Sequence, residues 1–423
     1  MKLVSLALLF SLLCSCVSCQ KGIHKQVSTT INKKEHLNKP YVILISLDGY
    51  RYDYTKRFQP PHLSKFIAQG VQAESMLPCF PSKTFPNHYS IATGLYPENH
   101  GLIQNTFYDP DRDAIYRISD REKVEDGTWY RGTPLWVQAA KAGMVTASYF
   151  FVGSEANVQG THPTYYHRYD GSVPNEKRTA AVLDWLKLPP AQRPHLITMY
   201  FSDIDDIGHQ AGPNDDDAIK SRLLKLDEIL GDFFKNLNAL DLPINVIIVS
   251  DHGMEEVPTE NYIPIEILED EERYKTINGG SSVHFHLKNK ENIEEIYQHL
   301  KAKEDHFTVY KTEDAPYYQA KPKNNRIGQI IAVVDHHYYF SGARRIALLK
   351  ARGNKTGGQH GFSIDNKEIE AIFYANGPQF KKDLTIPSFE NVHVYPLICE
   401  ILGLETPKDI DGKLNVLINT LAE

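Results

Sequence analysis

The chain has little cysteine to spend on a scaffold. Of five cysteines, Cys14, Cys16 and Cys19 stand among the first twenty residues, which leaves Cys79 and Cys399 for everything after them. A disulfide-framed fold is therefore excluded. Cys79 follows a strand pattern and Cys399 sits in an apolar helix pattern, so both are expected as separate buried thiols. Beyond the N-terminal segment no apolar run is long enough to span a bilayer. Basic charge is not in excess either. Against 53 Asp and Glu there are 46 Lys and Arg, a formal net charge of -7, so no electrostatic footprint argues for a stable nucleic-acid complex. Internal repeats and low-complexity tracts are absent.

What is present is ordinary globular composition, 41% hydrophobic and 23% charged over 423 residues, enough for a large core. The N-terminus is set apart. Lys2 precedes the run LVSLALLFSLL and then CSCVSC, a charged, apolar and small-residue order that reads as a signal peptide over residues 1–19. Leu13-Cys14-Ser15-Cys16 resembles a lipobox with Cys16 as the lipidated residue. Cys19 is the alternative lipid site, and simple cleavage near Cys19 the plainer reading. Residues 20–39 are polar and read as a tether. The expected location is outside the cytoplasm, as a periplasmic or outer-surface lipoprotein or a secreted protein, with membrane contact only through the lipid. Oligomeric state is not legible.

From residue 40 to 423 the pattern is α/β. Apolar strand runs are expected at 41–47, 145–152, 195–201, 244–250 and 368–374, with helices at 62–69, 132–142, 218–240 and 392–402. Strands apolar on both faces and separated by helices predict a mostly parallel central sheet with helices on both faces. Sites in such sheets form at the carboxyl ends of strands. Residues of about 260–352 differ, with SVHFHL, a charged helix, FTVY and IGQIIAVV, and predict a small α+β insertion.

Four motifs carry the chemistry. Asp48 follows YVILISL directly. Asp251 and His252 follow INVIIVS, with Gly253 giving the turn freedom. Asp205 and His209 flank Gly208 in a loop-like stretch, DIDDIGHQAG. His360 lies in TGGQHGF, where glycines permit close approach. Each alone reads as a turn, a cap or a structural histidine. Together, three carboxylates and three imidazoles suit two divalent ions of the zinc type. In FPSKTFPNHYS, Pro86 suits a first helical turn, which puts Thr84 at a helix N-terminus where backbone N–H groups favour a phosphate. A threonine there is ordinarily an N-cap. Beside two metals its hydroxyl is a candidate nucleophile. Lys83 reads as a solvated neighbour. His336-His337 reads as surface or cap packing, and Asp215-Asp216-Asp217 as the start of a helix.

On LDGYR, FPSKTFPNHYSIATGLYPENHG, NTFYDP, FVGSEA, DIDDIGH, SDHGM and GGQHGF, in that order across about residues 40–415, the chain resembles the nucleotide pyrophosphatase/phosphodiesterase family of the alkaline phosphatase superfamily. The resemblance implies two zinc ions. Asp205, His209 and His360 would hold one, and Asp48, Thr84, Asp251 and His252 the other. It implies a phospho-threonine at Thr84 and release of a nucleoside 5′-monophosphate. Asn105 matches the family's hydrogen-bond donor to a non-bridging phosphate oxygen. Phe85 and Tyr200 match aromatic positions beside a nucleobase, and Tyr165 or Tyr166 is a further candidate. No arginine neighbours Thr84 or Asn105 in sequence, which favours a diester over a dianionic monoester. The rival readings are a choline or other non-nucleotide phosphodiesterase, a phosphotransferase, and a non-catalytic binding protein.

Overall fold

The computed structural model describes residues 30–318 and 324–422. The signal, lipobox and residues 20–29 of the tether reading lie outside these. Residues 30–39 do not hang free. Asn32 donates to Pro190 O and Arg193 O and accepts from Val145 N, and His36 bonds Ala142 O, so this stretch is fastened to the domain.

Eight strands form the central sheet: β1 (Tyr41–Leu47), β2 (Val71–Ala73), β3 (Thr146–Tyr149), β4 (Tyr165–His167), β5 (Leu196–Phe201), β6 (Ile244–Val249), β7 (Phe373–Asn376) and β8 (Leu384–Ile386). Their spatial order is β8-β2-β7-β6-β1-β5-β3-β4. All pairings are parallel except those of β7, which runs antiparallel to β2 and β6. Strand β1 lies at the centre, and its side chains alternate between two cores. Val42 and Leu44 join the cluster of Tyr89, Trp136 and Leu397, whereas Ile43, Ile45 and Leu47 join Leu63, Val182 and Leu226. The first core is covered by helices α2 (Thr84–Thr93), α3 (Leu135–Ala142) and α7 (Val394–Leu402). The second is covered by α1 (Pro61–Ala68), α4 (Asn175–Leu186) and α6 (Asp216–Asn238). Burial on both faces explains the near-continuous apolar reading of these strands. Helix α6 starts as its aspartates suggested, with Asp215 accepting from Ala218 N.

Two strand boundaries move. The strand expected at 368–374 begins only at Phe373, because Lys367–Ile369 form a 3-10 turn in which Asn366 Oδ1 accepts from Glu368 N. The strand expected at 145–152 stops at Tyr149, and Phe150 takes a left-handed φ of 72°. Between β6 and β7 the chain builds a separate antiparallel sheet from Tyr274–Asn278, Ser282–Leu287, Ile330–Val334 and Phe307–Lys311. Helix Ile293–Lys301 supplies Ile296 and Leu300 to a third core with Phe285, Val309 and Phe340. Cys79 and Cys399 are buried and unpaired.

Candidate active site

The carboxyl ends of β1, β5 and β6 lie side by side and carry the site. Asp48 follows β1 and is buried. The next residue, Gly49, has φ of 68°, and a Cβ there would lie 2.8 Å from Asp205 Cα. Glycine thus lets helix α5 (Asp203–Ala211), which follows β5, come close enough for Asp205 N to donate to Asp48 O at 3.1 Å. Asp205 and His209, read from the sequence as a pair converging on one ion with a polar loop as the plainer alternative, lie in this helix. They are i and i+4 on α5, so the helix itself puts both side chains on one face. Gly208 serves packing, since a Cβ there would sit 2.5 Å from Met254 Sδ. Asp251 and His252 follow β6, where Ser250 Oγ accepts from Tyr50 N and donates to His252 O.

His360 comes from the far end of the chain. The short pair Glu255–Pro258 and Thr356–Gln359 carries it back onto α5, so closely that a Cβ on Gly358 would lie 2.3 Å from Gly208 O. His209 Nδ1 donates to Gly358 O at 2.8 Å, His252 Nδ1 to Gly253 O at 2.8 Å and His360 Nδ1 to Ser82 O at 2.9 Å. A carbonyl only accepts, so each Nδ1 carries the proton and each Nε2 keeps its lone pair. Those lone pairs converge on carboxylates. His252 Nε2 lies 3.0 Å from Asp251 Oδ2 and 3.6 Å from Asp48 Oδ1. His209 and His360 Nε2 lie 3.4 and 4.0 Å from Asp205 Oδ1.

The result is two adjoining groups, Asp48–Asp251–His252 and Asp205–His209–His360, with the donor atoms of each within 4.8 Å of one another. The rings of His252 and His360 stack at 3.7 Å where the groups meet. Asp48 Oδ1, Asp205 Oδ1 and Asp251 Oδ2 are buried without a hydrogen-bond donor. Buried carboxylate oxygens facing imidazole lone pairs are acceptors facing acceptors, an arrangement that fits a cation between them. The strain shows in the proton affinities. Burial first, then the charges of Asp251 and Asp205, push Asp48 well above the usual carboxylate range.

Thr84 opens α2 at its first helical position. The residue before it, Lys83, is the cap, and no side chain caps the helix. The threonine hydroxyl is therefore free of the capping duty a threonine usually has there, and Oγ1 lies 3.4 Å from His252 Nε2. Asn105 Oδ1 accepts from Phe85 N at 3.0 Å, which leaves its amide N–H donors for the cleft beside Thr84.

The aromatic candidates part ways. Phe85 is half-buried against the first core. Tyr200 is buried, and its hydroxyl donates to Asp48 Oδ2 at 2.6 Å, so its polar end is spent on the carboxylate cluster. Tyr165 packs on Trp185 and donates to Gln192 O, while Tyr166 stacks on His162. Tyr169, not singled out in the sequence, is the exposed ring next to Tyr200, 44% accessible with centroids 6.1 Å apart.

Lys83 is not solvated. It is buried, and Nζ donates to His360 O at 2.6 Å and Tyr339 Oη at 2.9 Å. His88, one turn after Thr84, was also not anticipated. Its Nδ1 lies 2.8 Å from Thr84 O and 3.2 Å from Asp251 Oδ2, and its Nε2 lies 2.7 Å from Ser46 Oγ. The Thr-x-x-x-His spacing from Thr84 was the only available signal. His336 joins neither cluster. It bridges Glu255 Oε2 at 2.9 Å and Asp365 Oδ1 at 3.1 Å.

A mostly parallel sheet between two helical layers, with His/Asp clusters at its strand ends, defines an α/β protein of the alkaline phosphatase-like kind. The chain belongs to the type I phosphodiesterase / nucleotide pyrophosphatase family, which matches residues 42–363. It is 35% identical over 402 residues to ectonucleotide pyrophosphatase/phosphodiesterase family member 3 of Rattus norvegicus, covering 91% of this chain and 44% of that protein. It is 36% identical over 389 residues to family member 1 of Homo sapiens, covering 88% and 41%. The chain thus spans less than half the length of these relatives. The structure of murine ectonucleotide pyrophosphatase/phosphodiesterase 5, an inactive variant in complex with AMP, matches with TM-score 0.83 at 28% identity over 91% of this chain and 100% of that one.

Proposed function

We propose that this chain hydrolyses phosphodiester and pyrophosphate bonds of nucleotides through a phospho-threonine at Thr84, releasing a nucleoside 5′-monophosphate. The observation that carries the reading is the uncapped Thr84 hydroxyl at a helix N-terminus, 3.4 Å from His252 Nε2 and beside carboxylates that lack donors. Zinc suits the mixed imidazole and carboxylate donors. Asp205, His209 and His360 would hold one ion, and Asp48, Asp251 and His252 with Thr84 the other. When bound, two such cations supply positive charge to the attacking and leaving oxygens of an in-line displacement.

The residues do the rest. Thr84 Oγ1 gives up its proton to solvent and attacks phosphorus, and the bond to the leaving oxygen breaks on the opposite side, its electron pair departing with that oxygen. Asn105 donates an amide N–H to a non-bridging oxygen as charge builds there. Water then cleaves the Thr84 phosphoester, which restores the hydroxyl and frees the monophosphate. Tyr200 holds the Asp48 carboxylate in place, and His88 anchors the first turn of the helix through Thr84 O. Phe85, together with the exposed Tyr169, offers faces on which a base stacks. The AMP complex of the murine relative, and the names of the ectoenzyme and venom phosphodiesterase relatives, support a nucleotide substrate and an exported location for this chain. Export as a lipoprotein rests on the N-terminal segment alone.

Two successive displacements retain configuration at phosphorus. Hydrolysis of a chiral phosphorothioate diester in oxygen-18 water should therefore give net retention. Net inversion would exclude the covalent intermediate.

A further inference from the structure

The helix Ala343–Ala351 stands on the outside of the insertion. Only Ile346 is buried along it, with Leu349 half-buried beside it in the third core. The rest of the helix faces solvent, and its charge is the reverse of the chain's. Between Asp335 and Asp365 the sequence carries Arg344, Arg345, Lys350, Arg352 and Lys355 and no acid, in a chain whose formal net charge is -7. Arg345 lines the cleft beside Thr84 and is set apart. We propose that the outward face of this helix is a docking surface for an anionic phospholipid bilayer, a membrane contact separate from any N-terminal lipid. The proposal does not depend on the phosphodiesterase reading.

Charge supplies the attraction. Arg344, Lys350, Arg352 and Lys355 are all exposed, and among the described residues no carboxylate or other side chain partners theirs. Glu266, on the neighbouring turn Ile265–Leu268, does touch the helix, but both its oxygens accept from Ala343 N, at 2.9 and 3.2 Å. That acid is committed to the helix start. Cations with no internal partner add up against a surface of opposite sign, at about fivefold in affinity for each.

Pattern supplies the kind of partner. Arg344, Leu348 and Arg352 are spaced i, i+4, i+8 and form one row along the helix. Ala347 and Ala351 lie beside that row. Leu348, in its middle, is 49% exposed. A soluble polyanion would take the arginines and leave the leucine in water. A bilayer interface takes both, with the guanidinium groups at the phosphates and the leucine at the acyl boundary. The exposed leucine between two arginines is what favours a bilayer over an anionic polymer.

The platform is formed in advance. Glu266 holds its start, and Thr259 holds the chain just past its end, donating from Oγ1 to Asn354 O at 2.6 Å and from N to Lys355 O at 2.8 Å. Little ordering is left to be done on contact.

The test is sedimentation of the full chain with vesicles of phosphatidylcholine alone and of an equal mixture of phosphatidylcholine and phosphatidylglycerol. Any N-terminal lipid binds both compositions alike, so the readout is the ratio of the two partition coefficients. That ratio should be about tenfold or more at low salt and fall as salt is raised. Arg344→Gln combined with Arg352→Gln should lower it about tenfold. Leu348→Ser should weaken binding to the mixed vesicles and leave retention on immobilised heparin unchanged. Thermal melts verify that each variant folds. A wild-type ratio within about twofold of one would overturn the proposal. So would a double variant that kept the wild-type ratio, which would put the binding elsewhere on the molecule. Full vesicle binding by Leu348→Ser, or retention on heparin with no preference for mixed vesicles, would make the partner a soluble polyanion and overturn the bilayer.

Discussion

Tyr200 shows how a single hydroxyl divides roles at this site. Its ring is buried and its Oη donates to Asp48 at 2.6 Å. Tyr200→Phe keeps the ring and removes only that bond. Partners of ligating carboxylates typically contribute about 10- to 100-fold in metal affinity, so a zinc titration should show a weakening of that order, with the melting transition still cooperative. An unchanged affinity would mean that Asp48 needs no such holder. In the proposed mechanism Asn105 donates where charge develops, and Asn105→Ala should cost about 10²- to 10³-fold in kcat while leaving the metal content unchanged. Metal analysis beside steady-state rates separates the two effects. The cluster residues were legible because each acid or imidazole follows an apolar run or sits among glycines. Lys83 and Tyr200 were not legible in their roles, because those roles depend on Tyr339 and Asp48, and no local pattern records a contact across 256 or 152 positions.

At the scale of elements, close backbone approach governs the site. Gly49 lets α5 reach β1, and its φ of 68° suits few other residues. Gly49→Ala combines left-handed strain with a 2.8 Å clash against Asp205 Cα, and should destabilise the fold by about 1–3 kcal/mol while displacing Asp205. Chemical denaturation with metal analysis checks both. The same helix shows a limit of pattern reading. DIDDIGHQAG, with its glycines and acids, reads as a loop, yet packing against the glycine-rich pair at 356–359 makes it helical and turns a five-residue segment into an i, i+4 donor pair.

His336 ties the insertion to the domain. Its hydrogen bond to buried Glu255, opposed by burial and aided by Asp365, raises it to about 9 from its ordinary 6.5. A raised value means the folded state holds the proton more tightly than the unfolded chain. The stabilisation is therefore complete below the unfolded value and is lost as pH climbs through about 9. The gap in melting temperature between wild type and His336→Gln should be widest near about pH 6 and narrow by about pH 10. A gap independent of pH would contradict the charged bridge.

Across the whole molecule, the sheet class and both helical layers followed from strand runs apolar on both faces. The antiparallel course of β7 did not, since a strand's direction leaves no trace in its own residues; Phe373–Asn376 read the same either way. If the two clusters hold cations as proposed, the unsatisfied carboxylates at the strand ends should make stability depend on those ions as well as on packing. Binding that favours the folded state contributes RT ln(1 + [L]/Kd), about 4 kcal/mol at a thousandfold excess over Kd. Chelation should therefore lower the melting temperature and abolish activity together, and added zinc should restore both. A melting temperature indifferent to chelation would show that the clusters hold no ion.

The central claim is that Thr84 attacks phosphorus from beside the Asp48–Asp251–His252 cluster. Its most direct test is turnover of a nucleotide diester by Thr84→Ala and Thr84→Ser, with the metal content of each variant measured on the same sample. The account predicts that Thr84→Ala retains both metals and a cooperative fold but loses turnover to background, while Thr84→Ser keeps a measurable fraction. Metal-loaded Thr84→Ala that still turned over near the wild-type rate would contradict it.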